Sequence, residues 1–586
     1  MESDLKQECA PLSPGLHMRL ASLSQHTIDR KEAETWASRS LKFLVYDDTD
    51  ERINGYDSDD EQGMTEFAMK VSMGSTATDA KEKNHSKVAG HETSGVHKDG
   101  GPSAENSADA NDSKCEICSS CPEFPHNRKI RKFRLFKPFD DLPGRFRNDD
   151  RSASRSICPH YVAVSYCWPP EVDSAQRKDG SDDARITYQV RDLDGTIRRS
   201  RTLDDVLDRA IDVANEFRLR MIWIDQECLP QPTADRREDE RHEHQLGVQA
   251  MDIVYHRAIV TAGLHDVTVT DPLQIPALFS IMDINWNMGP PRLNGDLMNS
   301  LLNLIEAITH DRWNSRAWVV QEALSAGSGL LIVLRRGRGI PEPPRFQTNS
   351  SRFGGIPEHT LDNNPRGMPS EVICIPGDKL RGVVQNTKFL IERIFASLGM
   401  ALYQFDIHVA NVRQRAGLIL ASAEALYPAL AVAGDQTVLS LVSGFNYGHR
   451  RTVDAAGALT FLNTRECRYQ EDRIAILANM CGYDVRLDTR AVAAGGSLRE
   501  GLLALTLLNG DLSLLVPEAY TDSGSVLVDL NDSSQHSGSK MISPFDNHAH
   551  QINHVSPRNF NLPRLLVPPR LTKGGITLAA YVWQVK

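Results

Sequence analysis

The apolar residues Leu203, Val206, Leu207, Ala210, Ile211, Ala214 and Phe217 recur at three- and four-residue intervals, which predicts a helix with one buried face. Thr202 stands at its expected N-cap, and Asp204 and Asp205 fall in the first turn, where carboxylates suit the helix dipole. On either side lie short apolar runs that read as strands, YVAVSYCW (161–168), stopped by Pro169 and Pro170, and MIWIDQ (221–226). A strand, helix, strand unit predicts parallel strands joined by a right-handed crossover. The alternation continues with a helix over 239–257 (Val248, Met251, Val254, Tyr255, Ala258), a strand at 258–263 (AIVTAG) and a helix at 300–308 (SLLNLIEAI). A last helix carries Trp318, Val319, Glu322, Ala323 and Ala326 and ends before Gly327. The fold class is therefore α/β.

The flanks differ. Residues 1–46 form an N-terminal region with a patchy amphipathic stretch (Leu16, Met18, Leu20, Leu23), and 47–114 turn to Asp, Ser, Gly, Thr, Lys, Asn and His. Such a composition cannot bury enough apolar surface to offset its ordering entropy, so a disordered segment is expected there. Order resumes in RKIRKFRLFKPF, from 128, where Ile130, Phe133 and Leu135 alternate with basic residues as in a half-exposed strand. The first domain with its lead-in then covers 115–330. Residues 331–380 are rich in Gly, Pro, Arg and Asn from 336 onward and read as a loop or insertion. Residues 381–586 read as a mostly helical region, with short strands at 565–568 and 576–585.

At 586 residues the chain exceeds what one core usually organises, so two or three folded units are expected. Lys+Arg 66 against Asp+Glu 77 leaves a net charge of −11, which argues against a surface built for nucleic acid. The start, MESDLKQECAPLSPG, shows no secretory signal, and no apolar run is long enough to span a membrane. A soluble, cytoplasmic protein with its 10 cysteines as reduced thiols is the expectation.

Four segments carry a resemblance. They are YVAVSYCW (161–168); WIDQECLPQ (223–231); MDIVYHRA (251–258); and RWNSRAWVVQE (312–322). In that order and spacing they resemble the signature of the HET (heterokaryon incompatibility) domain of filamentous fungi. An echo follows at EDRIAIL (471–477). The chain departs from the pattern at Pro169, Gln226, Glu227 and Pro230. The resemblance implies a TIR/flavodoxin-like parallel sheet and an effector of non-self recognition and programmed cell death. Some TIR domains cleave NAD with one glutamate four residues after a tryptophan, a spacing that Trp318 and Glu322 reproduce.

Glu322 is thus the candidate catalytic residue, a carboxylate that would stabilise an oxocarbenium-like transition state. The alternative is a carboxylate paired with Arg316 to hold the fold; Arg316 is also a candidate ligand-binding residue. Asp225 is expected at the carboxyl end of a parallel strand, where it would bind a ribose hydroxyl or accept backbone N–H groups. Trp168, Trp223 and Trp318 would stack on a base or serve as packing. Cys115, Cys118 and Cys121 with His126, joined by Cys158 and His160, have zinc-compatible spacings but not the usual two separated pairs, so no metal is assigned. His242, Glu243 and His244 lack zincin spacing and read as solvated surface, as does the basic run Arg128 to Arg134. No nucleophile elbow and no phosphate loop occurs. The leading reading is an effector that acts through a protein partner or self-association. An NAD hydrolase and a silent family member are the alternatives. No cofactor follows from the sequence, and NAD enters only as a candidate substrate.

Overall fold

The computed structural model describes residues 15–49, 116–125, 131–141, 158–168, 187–231, 237–282, 295–343, 371–398, 407–426, 453–515 (without 464 and 496), 570–572 and 575–577. Its strands are β1 Thr27–Asp29, β2 Phe43–Tyr46, β3 Lys132–Phe136, β4 Val162–Ser165, β5 Gln189–Arg191, β6 Ile197–Arg199, β7 Ile222–Trp223, β8 Val260–Val269, β9 Leu330–Arg336, β10 Val372–Pro376 and β11 Val485–Leu487, with β12 Arg570–Thr572 and β13 Gly575–Thr577 as a separate pair. Among the described residues, nine form one sheet in the order β10-β9-β8-β4-β7-β2-β3-β5-β6.

The helix Asp204–Glu216 leads into β7, with β5 and β6, which the sequence reading did not foresee, in the connection from β4; β4 and β7 pair in parallel, Val162 opposite Ile222 and Ala163 opposite Trp223, as the hydrophobic pattern predicts. β8 and β9 continue the parallel set on the other side of β4. Numbered by chain order, these four strands run 2-1-3-4, a doubly wound arrangement whose direction of winding reverses between β4 and β8. Helices Glu238–Gln249 and Met251–Arg257 precede β8, and Gln274–Met282, Gly295–Thr309, Arg312–Ser315 and Ala317–Ala326 lie between β8 and β9.

The sheet is mixed rather than purely parallel, because β10 on β9 and β2 between β7 and β3 pair antiparallel. Antiparallel neighbours need no crossover helix, so strands from the chain's flanks can join the parallel core. Two expectations change accordingly. Residues 27–46, read as an N-terminal region, supply β1 and β2, the latter fully buried inside the sheet. The stretch read as a loop over 331–380 begins with most of β9 and contains β10, where Val372, Ile373, Cys374 and Ile375 outweigh the surrounding Gly and Pro.

Smaller differences have local causes. Thr202 is not an N-cap: its N–H donates to Glu227 (3.0 Å), and the helix starts two residues later with Leu203 as cap. The helix expected over 239–257 is two helices that break at Ala250, and the following strand extends to Val269. Asp47 is buried and bound by Arg191 Nε (2.9 Å), so order continues to 49, while 50–114 lie outside the described residues. Of the two terminal strand expectations, 565–568 lies outside them too, and only Gly575–Thr577 of the second is described. No helix among the described residues is long and apolar enough to cross a membrane.

The C-terminal region is mostly helical, with Asp472–Cys481 and Leu498–Leu508 at its centre. Backbone pairing ties it to the rest of the chain. β1 pairs with β11, and Glu466 forms a parallel bridge with Arg316, its N–H donating to the Ser315 carbonyl (2.6 Å). The helix Ala317–Ala326 is consequently packed from both sides: Val319, Ala323 and Ala326 face the sheet's outer core, and Ala317, Val320 and Leu324 face the C-terminal core.

Candidate active site

β4 is buried at all four positions, as expected of a central parallel strand, and it ends at Ser165 beside the reversal between β4 and β8. Ser165 pairs across to Gly263 of β8. The absence of a side chain at Gly263 lets the Trp313 ring lie over β8; a Cβ there would sit 2.8 Å from Trp313 Cζ2. Trp313 Nε1 reaches Ser165 Oγ at 2.9 Å, and the Ser165 hydroxyl donates to the Glu322 carboxylate. The Tyr255 hydroxyl donates to the Val164 carbonyl (3.2 Å) and also faces Glu322. Gly263→Ala is expected to push Trp313 off Ser165 and destabilise the chain by about 1–3 kcal/mol, read by urea unfolding. An unchanged midpoint would show that the ring can move aside without loss.

Asp225 stands just past β7, at the carboxyl side of the sheet, as predicted. Its carboxylate accepts from Trp168 Nε1 (3.1 Å) and from the Gln226 N–H (2.7 Å). Arg316 donates to the Tyr166 carbonyl (2.5 Å), and its charge acts on both Glu322 and Asp225. Trp168, Asp225 and Arg316 are half-buried, whereas Glu322 beneath them is only 6% exposed.

Burial pushes the Glu322 carboxyl up to about 7, against the opposing pull of the Ser165 hydrogen bond and the Arg316 charge. Burial likewise raises Asp225 to about 6, opposed by Arg316, the Gln226 N–H and Trp168. Burial also works against the Arg316 guanidinium, yet Glu322, Cys167 and Asp225 together hold it above its ordinary value. Carboxyl groups that change protonation close to neutrality suit acid–base chemistry or the stabilisation of a developing cation.

The four sequence segments thus meet at one point. Each contributes a side chain: Ser165 and Trp168, Asp225, Tyr255, and Trp313, Arg316 and Glu322. Residues 161–322 match the family model described as Heterokaryon incompatibility protein (HET). That stretch is similar to a HET domain. No curated protein and no solved structure matches it.

Trp318 is placed differently from the pocket role considered for it. Although it shares a helix face with Glu322, its Nε1 donates to Asp472 (3.3 Å) of the EDRIAIL segment, so it ties the sheet domain to the C-terminal region. Burial raises Asp472 to about 6, with the Trp318 bond opposing. Trp223 is fully buried packing, edge-on to Tyr255. Sequence reasoning passed over Ser165, Tyr255 and Trp313 as partners of Glu322; their signal was membership of the same four segments.

Of the departures from the HET pattern, Pro169 lies outside the described residues, and the other three make specific contacts. Glu227 is buried and accepts from Arg198 Nη1 (2.7 Å), Ser200 Oγ (2.8 Å) and the Thr202 N–H, fastening β6 to the start of the helix Asp204–Glu216. The Tyr166 hydroxyl donates to Gln226, and the Pro230 carbonyl meets His244 Nδ1 at 2.6 Å. His244 and Glu243, which pairs with Lys42 (3.0 Å), are therefore half-buried contacts rather than solvated surface. Arg131, from the basic run, bonds Asp204 and lies over the Tyr188 ring. Of the cysteine set, Cys115 and His126 lie outside the described residues; Cys118 gathers with Cys158 and His160, without Cys121.

Proposed function

We propose that this chain acts in heterokaryon incompatibility, the rejection that follows fusion of unlike fungal cells, as an effector of the cell-death response. Its HET domain would do so by cleaving the nicotinamide–ribose bond of NAD. The observation that supports this reading is the placement of the Glu322 carboxyl at the winding reversal of the sheet, with Ser165 and Arg316 against it and Asp225 and Trp168 beside it.

In this reaction water adds to C1′ of the ribose while the nicotinamide nitrogen keeps the electron pair of the breaking C1′–N bond. The products are ADP-ribose, neutral nicotinamide and one proton. The leaving group needs no acid, so the demand on the protein is a negative charge near C1′ and O4′ as positive charge develops. Glu322 supplies it as the anion, with Arg316 opposing its protonation. Asp225 accepts from ribose hydroxyls, and the Trp168 indole offers a face for a base. Because Glu322 is enclosed, substrate reaches it only when Arg316 and Trp168 move.

That same enclosure favours a second reading, in which the domain signals through a protein partner or self-association and the Glu322 cluster holds the fold. The test is nicotinamide release from NAD by the full chain over a range of protein concentrations, beside Glu322→Gln and Glu322→Ala shown to be folded. The expected result is turnover that falls by about 100-fold or more in both variants. A folded wild type that releases no nicotinamide at any concentration, yet assembles as concentration rises, would overturn the NAD reading in favour of the second.

A further inference from the structure

We propose that Cys118, Cys158 and His160 bind a zinc ion that fastens the segment before the HET domain to the amino end of β4. The three ligand atoms all lie within 4.8 Å of one another, although Cys118 stands about forty residues from the other two in the chain. Cys158 Sγ is 3.5 Å from His160 Nδ1. Bond lengths of about 2.3 Å to sulfur and about 2.0–2.1 Å to nitrogen at a tetrahedral angle put such a pair about 3.6 Å apart. Two thiolates with one imidazole form a donor set that selects zinc over harder divalent ions. A water or a further donor completes the fourth position.

The backbone holds this arrangement by other means. Pro159, between the two ligands, has its carbonyl bound by the Tyr161 N–H (2.8 Å) and the Ile259 N–H (3.0 Å), which sets both neighbours on a fixed loop against β8. Cys118 sits on the short helix Glu116–Ser119. Arg220 anchors the chain just after it through the Ser119 carbonyl (3.2 Å), the Cys121 carbonyl (3.1 Å) and Glu123 (2.7 Å). Both halves of the site are therefore positioned by contacts that need no metal. The site lies at the amino end of β4, whereas Ser165 and Glu322 lie at its carboxyl end, where doubly wound sheets take their substrates. Its role is accordingly structural, and it stands independently of the NAD reading.

The test uses the full chain, purified under thiol protection from zinc-supplemented cells without chelator. Metal content is measured by mass spectrometry, and the metal-free protein is titrated with cobalt(II). About one zinc per chain is expected, with thiolate-to-cobalt charge-transfer and tetrahedral d–d bands. Cys118→Ser, Cys158→Ser and His160→Ala should each weaken zinc binding by at least about tenfold, and a chelator should lower the Tm of the wild type. His160 is half-buried, so its variant serves where a cysteine variant fails to fold. A wild type that holds no zinc and gives no charge-transfer band would overturn the proposal. So would a His160→Ala variant with undiminished affinity, or a Cys118–Cys158 disulfide in the isolated protein.

Discussion

Asp252→Ala is expected to destabilise the chain by about 3–5 kcal/mol, enough to unfold a domain of ordinary stability under mild denaturant. Asp252 and Arg486 both have side chains with no exposure, and Arg486 Nη2 lies 3.0 Å from Asp252 Oδ2. Arg486 also donates to the Tyr483 carbonyl (3.1 Å), the Gln249 carbonyl and Asn479. Burial lowers Arg486 to about 9, which still leaves it charged at neutral pH. Removing the carboxylate strips that cation of its nearest counter-charge in a site where water cannot replace it. Arg486→Met should be milder, because Asp252 keeps Arg30 at 3.9 Å. Urea unfolding of the two variants checks this: a loss below about 1 kcal/mol in Asp252→Ala, or equal losses in both, would contradict it.

The second large effect concerns Glu322 and depends on pH. Burial lifts its carboxyl to about 7 in the folded chain against 4.5 for an ordinary glutamate, so between these values the native state binds more proton than the unfolded state. The stability contributed by the protonated form is complete below about 4.5 and is lost as pH rises through about 7, a decline of about 3 kcal/mol in all. Glutamine does not titrate. The stability of Glu322→Gln relative to wild type should therefore improve by about 3 kcal/mol between pH 4 and pH 8. Unfolding curves across that interval measure it, and a difference independent of pH would mean that Glu322 titrates as an exposed carboxylate does. Together with the loss of turnover expected for the same variant, this would mark Glu322 as a residue held at the expense of stability.

The parallel core and its chemistry were legible because they are local. The helix Asp204–Glu216 runs directly into β7, and the apolar run of β4 stands out on its own in the sequence. Gly327, with φ 55°, ends the helix of Glu322 where a left-handed residue is required. Asp225 was placed at the right strand end by topology alone. What escaped were pairings between residues far apart in the chain. KFLVY (42–46) has the apolar content of a buried strand, yet nothing nearby indicates that Leu44 pairs with Ile222. For Trp318 the sequence leaves base stacking and packing open, and its partner Asp472 lies in the C-terminal region. Likewise Cys118 and Cys121 look equivalent in sequence, and only the approach of 158–160 distinguishes them.

The pairing of β1 with β11 also sets a clock on biosynthesis. Thr27 meets Leu487 in the finished sheet, so the N-terminal strand emerges from the ribosome with its partner still unmade. At about 5–20 residues per second, the wait is roughly half a minute to a minute and a half. During that interval Ile28, buried in the native chain, has no partner strand to cover it. The nascent chain is then a client for any chaperone that recognises short apolar segments, and its completion is timed by the arrival of the C-terminal region rather than by the sheet domain itself.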